Sequence, residues 1–279
     1  MVDSLACEIL HPPKSTIRLI VAQVKNTHSP RNSVSAIGLL LVGLAALGAQ
    51  DVVMKNLSPR FSVFELLLIR GLFALLIFQV GLLFFGGKNV LRTERLGLQL
   101  LRGILLFGAL ACYYIALSSM PLLETAAIFF TGPIFATVLS AVILKEVVSI
   151  GRWLAVVVGF IGVLLIIRPE GTGIVFHAAL FALTAALLYA SSLVTTRRLG
   201  NFDPAVTTAT YSMLSYIILA TIGSIVVHLI ALNGYSSGTL ALVRSWRWPE
   251  LIELFWLFLA GFGVSVGFFC LAEAYRRAV

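Results

Sequence analysis

From residue 34 onward, long apolar runs alternate with short polar punctuation. The runs cover 34–54, 63–85, 98–117, 126–144, 154–167, 174–196, 205–232 and 251–271. They lack the polar face that an amphipathic helix turns to water. At about 1.5 Å of rise per residue, most can cross a hydrocarbon core of about 30 Å. The pattern predicts an all-α polytopic membrane protein with about eight transmembrane helices, mostly joined by short connections that make neighbours antiparallel. Residues 233–249 form a longer connection, and its Trp246, Arg247 and Trp248 read as interfacial. Residues 1–32 read as a polar cytoplasmic tail, because their one apolar patch, 17–24, is too short to span.

Composition agrees with the pattern. Of the 279 residues, 59% are hydrophobic and 11% charged, against about 25% charged in soluble domains. The net charge of +8 would suggest nucleic acid for a soluble chain. Instead, thirteen Lys and Arg fall in the tail and alternate connections and only five in the opposite ones, which predicts both termini on the cytoplasmic side. The lipid bilayer is therefore the expected macroscopic partner, and nucleic acid is not.

Ionisable side chains inside apolar runs are expensive and mark candidate sites. Asp51 lies about 6 Å from the outer end of the first helix and Arg70 about 12 Å from that of the second. Glu124 opens the fourth helix on the same side, so the three could meet. Arg70 would take an anionic substrate group through its bidentate fork, and Asp51 or Glu124 would answer a cationic group or a proton. The alternative is a structural Asp51–Arg70 or Glu65–Arg70 pair, with Glu65 and Glu124 snorkelling to the interface. Tyr113, Tyr114, Phe129 and Phe130 fall in the outer halves of the third and fourth helices. They could stack on a flat ring, or simply face lipid. The fourth run carries a helix break at Gly132-Pro133, where freed carbonyls line a pathway or the helices pack closely. At its inner end Lys145, Glu146 and Arg152 read as a cytoplasmic ion cluster.

Other chemistry is sparse. Cys7, Cys112 and Cys270 form no ligand spacing, and the chain has no HExxH, P-loop or Cys/His cluster, so neither metal nor cofactor is expected. Gly263-Val-Ser265-Val-Gly267 matches the GxSxG of serine hydrolases. It lies in an apolar helix, where the two glycines also make a packing stripe. An intramembrane hydrolase using Ser265, with His177 or His228 as base, is the enzymatic alternative.

The chain also resembles itself. Cys112-Tyr-Tyr-Ile-Ala116-Leu117 in the third helix has a counterpart in Cys270-Leu-Ala-Glu-Ala274-Tyr275 in the eighth. Odd-numbered halves of five helices would have opposite orientations and a site at their interface. This divides the chain into a five-helix repeat, 33–169, and an incomplete three-helix repeat, 170–279, so eight of an expected ten helices are present. A truncated remnant or membrane scaffold is the non-transporting alternative.

Pro133, Lys145-Glu146, Gly151, Gly159, Gly162 and Arg168-Pro169 carry a resemblance to the drug/metabolite transporter superfamily, in its EamA-type branch. The resemblance runs from Val34 to Val279. It implies two inverted five-helix repeats around a central cavity, and a secondary transporter that moves a small polar metabolite across a bacterial inner membrane by alternating access. Asp51-Val52, Lys55, Phe64-Glu65, Arg70, Gly87-Lys88-Asn89 and Leu101-Arg102-Gly103 look like the bacterial carriers for S-adenosylmethionine. Carriers for riboflavin and amino acids share much of the frame. A small-molecule substrate is the implied partner, and a second copy of the chain, giving a homodimer, is a further candidate.

Overall fold

The computed structural model describes residues 30–85, 92–145, 149–167, 176–199, 202–203, 205–232 and 246–278. Among these, nine helices follow in chain order. They are α1 (Pro30–Leu57), α2 (Val63–Phe85), α3 (Leu96–Ser119), α4 (Leu122–Phe129), α5 (Gly132–Ile143), α6 (Ile150–Ile167), α7 (Phe176–Leu199), α8 (Ala205–Leu232) and α9 (Leu251–Ala278). No strand occurs among the described residues. Seven spans have the length and apolarity to cross a membrane, so the protein is an all-α polytopic membrane protein. One span, Leu122–Ile143, is built from α4 and α5 together. The eighth expected crossing is α6, whose 18 residues put it near the lower limit for a span. Lys88, Glu146, Arg168 and the expected tail as far as residue 29 lie outside the described residues.

The described residues form two compact units, one within 30–48 and 264–278, the other within 49–263. In the smaller unit α1 and α9 approach closely at glycines. A Cβ on Gly267 would stand 2.7 Å from Leu47 Cγ and 3.2 Å from the Gly43 carbonyl oxygen. That contact explains the GxSxG match: Gly267 closes a helix seam, and Ser265 stands in continuous α9 rather than on a strand-to-helix elbow.

The larger unit is organised by α3, which packs along α7 and against α8. The face of α7 toward its neighbours is a row of small residues, with Ala178, Ala182, Ala185, Ala186 and Ala190 all buried. Their spacing follows the helical repeat, and the absence of longer side chains lets backbones come close without any help from water. α2 lies on α8, and α4 and α5 lie on α7. Large apolar side chains such as Leu76, Ile104 and Val158 point outward, where lipid tails solvate them. Inside, by contrast, are Gln50, Glu65, Arg70, Gln99 and a set of hydroxyls on α8: Thr207, Thr208, Ser212 and Ser215.

The interruption between α4 and α5 is met in part by local hydrogen bonds. Phe130 and Thr131 keep nearly helical backbone, and Pro133 occupies the first turn of α5, where its missing N–H leaves no bond unmade. The Ile128 carbonyl accepts both the Thr131 N–H (3.0 Å) and the Thr131 hydroxyl (2.7 Å).

Glycine substitutions should separate tight from open crossings. A Cβ on Gly261 in α9 would meet Phe73 Cβ at 2.8 Å, the Arg70 carbonyl oxygen at 2.9 Å and the Ala74 nitrogen at 3.1 Å. Backbone atoms cannot swing aside, so Gly261→Val should cost about 1–3 kcal/mol. Gly159 in α6 has nothing within 4 Å of that position, and Gly159→Ala should be neutral or stabilising by up to about 1 kcal/mol. Thermal unfolding of the two variants in detergent checks both.

Candidate functional site

A buried polar cluster of the larger unit is gathered from α1, α2, α3 and α8. Arg70 is only 4% exposed and has no carboxylate in direct contact among the described residues. Its Nη1 donates to Gln50 Oε1 (2.7 Å) and to the Tyr114 hydroxyl (2.8 Å). Nη2 donates to the Tyr216 hydroxyl (2.9 Å), which itself donates to the Leu67 carbonyl (2.9 Å). The guanidinium carbon lies 5.0 Å from the Tyr114 ring centre and 5.8 Å from that of Tyr216, within cation–π range.

Asp51 belongs to the same network from the other side. Its Oδ1 accepts from Gln50 Nε2 (2.6 Å) and the Tyr114 hydroxyl (2.9 Å), and Oδ2 accepts from the Tyr113 hydroxyl (3.0 Å). Gln50 and Tyr114 thus bridge the cation to the anion. The direct Asp51–Arg70 and Glu65–Arg70 pairs considered from sequence do not form. Charges so placed are stabilised through polarised neutral groups, and neither is cancelled by a direct ion pair.

Not all the expected members join. Glu124 is half-buried on α4 and has no hydrogen bond or ion pair among the described residues. Phe130 is 69% exposed, and its neighbour Phe129 takes the inward position. Phe129 sits 5.0 Å from the Tyr113 ring centre and 5.4 Å from that of Tyr189, so Tyr113, Phe129 and Tyr189 form an aromatic row beside Asp51. Gln50, Tyr189 and Tyr216 are members that sequence reasoning misses. Gln50 was legible as a second polar residue beside Asp51 in an apolar run. Nothing in their apolar runs distinguishes the two tyrosines, and only the packing of α3 on α7 and α8 brings them in.

Glu65 does not snorkel. It is fully buried and accepts the Arg247 N–H at 3.3 Å, because the segment before α9 covers the start of α2. Ser62 and Glu65 also have the spacing of a capping box at that start. Around them Arg60 pairs with Glu253 (3.1 Å) and Arg247 with Glu250 (2.9 Å). Lys55 donates to the Leu117 and Met120 carbonyls at 2.5 and 3.0 Å, closing the C-terminus of α3, where a cation also suits the helix dipole.

At the opposite end of α3, Asp203 ties three segments together. Its Oδ2 accepts from Thr93 Oγ1 (2.5 Å) and Gln99 Nε2 (2.8 Å), and Oδ1 accepts the Glu94 N–H (3.2 Å). Burial pushes its carboxyl up, but the Thr93, Gln99 and Glu94 donors together outweigh that and hold it below the usual carboxylate range.

Comparison with known proteins bears on the family and the fold. Residues 34–168 match the EamA-like transporter family. The S-adenosylmethionine uptake transporter of Rickettsia bellii is 28% identical over 86% of this chain and 75% of its own length. The riboflavin transporter of Vibrio cholerae is 29% identical over 69% of this chain and 59% of its own. A solved crystal structure shares the fold at a TM-score of 0.60, with 18% identity, over 86% of this chain and 79% of that one.

The Asp203 junction has a pH signature. A carboxyl lowered by folding adds stability above its unfolded value, and loses it as pH falls through the lower folded value. Wild-type protein should therefore lose thermal stability as pH drops below about 4. Asp203→Asn should start less stable and respond less to acid in that window, as read by unfolding scans between neutral and acid pH.

Proposed function

We propose that this chain, a small-metabolite transporter whose residues 34–168 belong to the EamA-like transporter family and not an enzyme, carries a zwitterionic substrate with an aromatic ring, S-adenosylmethionine being the first candidate. The observation that carries the reading is the buried Arg70–Gln50/Tyr114–Asp51 network, with the aromatic row of Tyr113, Phe129 and Tyr189 alongside. A substrate carboxylate would replace Gln50 and Tyr114 as acceptor for Arg70, while an ammonium or sulfonium would approach Asp51. A purine ring would stack along the aromatic row. The relatives named for S-adenosylmethionine uptake support this choice. Riboflavin bears no fixed charge and would leave Arg70 and Asp51 without a task, and a plain amino acid would leave the aromatic row without one.

Transport would proceed by alternating access, with repeats 33–169 and 170–279 rocking about the cluster. The contacts of Arg70 with Tyr216 and the packing of α3 on α7 and α8 join one proposed repeat to the other. A site at that interface changes its exposure as the repeats move. The excess of Lys and Arg on alternate connections supports a cytoplasmic N-terminus in a bacterial inner membrane.

Counterflow of labelled S-adenosylmethionine into proteoliposomes preloaded with the unlabelled compound tests the reading. Arg70→Lys keeps the charge and loses the fork, and should cut exchange about ten-fold or more. Asp51→Asn should weaken binding of the intact substrate more than that of an analogue lacking the amino group. Wild-type rates in Arg70→Lys would remove Arg70 from the site. Riboflavin exchange in the absence of S-adenosylmethionine exchange would turn the assignment to the flavin.

A further inference from the structure

A second arginine of the larger unit is also held by neutral partners. Arg102, half-buried on α3, lies about 9 Å from the start of that helix and about 18 Å before Tyr114. Its Nε donates to Thr196 Oγ1 (2.6 Å). Its Nη1 donates to the Thr208 carbonyl (3.3 Å) and to the Ser212 hydroxyl. All of these acceptors are neutral. Among the described residues no carboxylate pairs with it, although an unneutralised cation within a span is costly. Hydroxyls and a carbonyl orient a guanidinium without cancelling its charge.

Two observations tie Arg102 to the Arg70 cluster. Ser212 and Tyr216, which receive hydrogen bonds from Arg102 and Arg70, are four residues apart on α8. That places them about 6 Å apart along one helix face. Between them Ser215 is buried against Gly103, the residue after Arg102. Separately, the aromatic row that begins beside Asp51 ends at Tyr189, which stands seven residues, about two turns, before the Arg102 partner Thr196 on one face of α7. A ring moving along that row would bring an attached carboxylate from one guanidinium toward the other.

We propose that Arg102, held by Thr196 and Ser212, is a second anion-binding station that receives the substrate carboxylate after Arg70 on the side where α3 begins. This rests on the substrate reading of the Arg70–Asp51 cluster. The two stations would divide the work. Arg70 would set affinity from the face where α3 ends, and Arg102 affinity from the face where it begins. A substrate leaving Arg70 would then never have an unpaired carboxylate in a low-dielectric stretch.

The test measures half-saturation for labelled S-adenosylmethionine from each face separately, in sealed vesicles of determined orientation. Arg102→Gln should raise half-saturation about ten-fold or more from the α3-start face and change it less than about two-fold from the other. Should Arg102→Gln not assemble, Arg102→Lys carries the same test with a several-fold rise on that face alone. Equal losses from both faces would mean that Arg102 only braces α3, α7 and α8, and would overturn the proposal. Repeating the measurement in phosphatidylcholine vesicles with and without phosphatidylglycerol separates the two sources of anion. An effect of the substitution seen only with phosphatidylglycerol would assign Arg102 to a lipid headgroup and overturn it as well. Wild-type vesicles that exchange no S-adenosylmethionine from either face would overturn the substrate reading itself, and this inference with it. Saturable wild-type exchange with a symmetric Arg102→Gln response would overturn this inference alone.

Discussion

A cation buried in a bilayer protein must be answered, and the way Arg70 is answered sets much of what surrounds it. A direct ion pair with Asp51 would have neutralised both charges and locked α1 to α2. Instead Gln50, Tyr114 and Tyr216 take the guanidinium, and Asp51 is reached only through Gln50 and Tyr114. Four helices must converge to supply those groups. Their convergence depends on the alanine row of α7, which lets α3 approach closely, and on glycines where α2 meets α8 and α9. Packing by small residues and hydrogen bonding to one arginine are thus parts of a single solution.

The same economy applies to the ends of the helices. Lys55 takes the last carbonyls of α3, Asp203 takes donors from the segment that leads into it, and Glu65 takes the N–H of Arg247. None of these residues sits deep in a span, yet Asp203 and Glu65 are buried. In a protein whose outer surface is apolar, polar groups at helix ends stabilise best when they meet one another. That is why Glu65, near an interface, faces inward instead of reaching for water.

On the proposed carrier reading, deep charge also has a functional logic. Asp51, Arg70 and Arg102 lie in spans and are held by neutral partners. Neutral partners are exchangeable: a substrate carboxylate can displace a tyrosine hydroxyl or an amide without leaving a charge bare. A salt-bridged arginine would have to give up an ion pair first, at a cost of several kcal/mol in a dry interior. The carrier reading and the two-arginine route both depend on that difference.

The all-helical, membrane-spanning character of the chain was fixed by hydrophobic run length alone, since a bilayer accepts little else. So was the candidacy of Asp51 and Arg70, because a charge in an apolar run is conspicuous. Proline and glycine marked the interruption between α4 and α5 for the same local reason. Run length could not say which face of a helix meets which neighbour, because a helix that is apolar on every side has no polar face to orient it in lipid. Tertiary packing therefore decided that Phe129 and not Phe130 turns inward, that Glu124 stays apart, that Tyr189 joins the aromatic row and that Tyr216 joins the arginine cluster. It also decided that Gln50 and Tyr114 stand between Asp51 and Arg70, a matter of fractions of a turn on helices far apart in the chain.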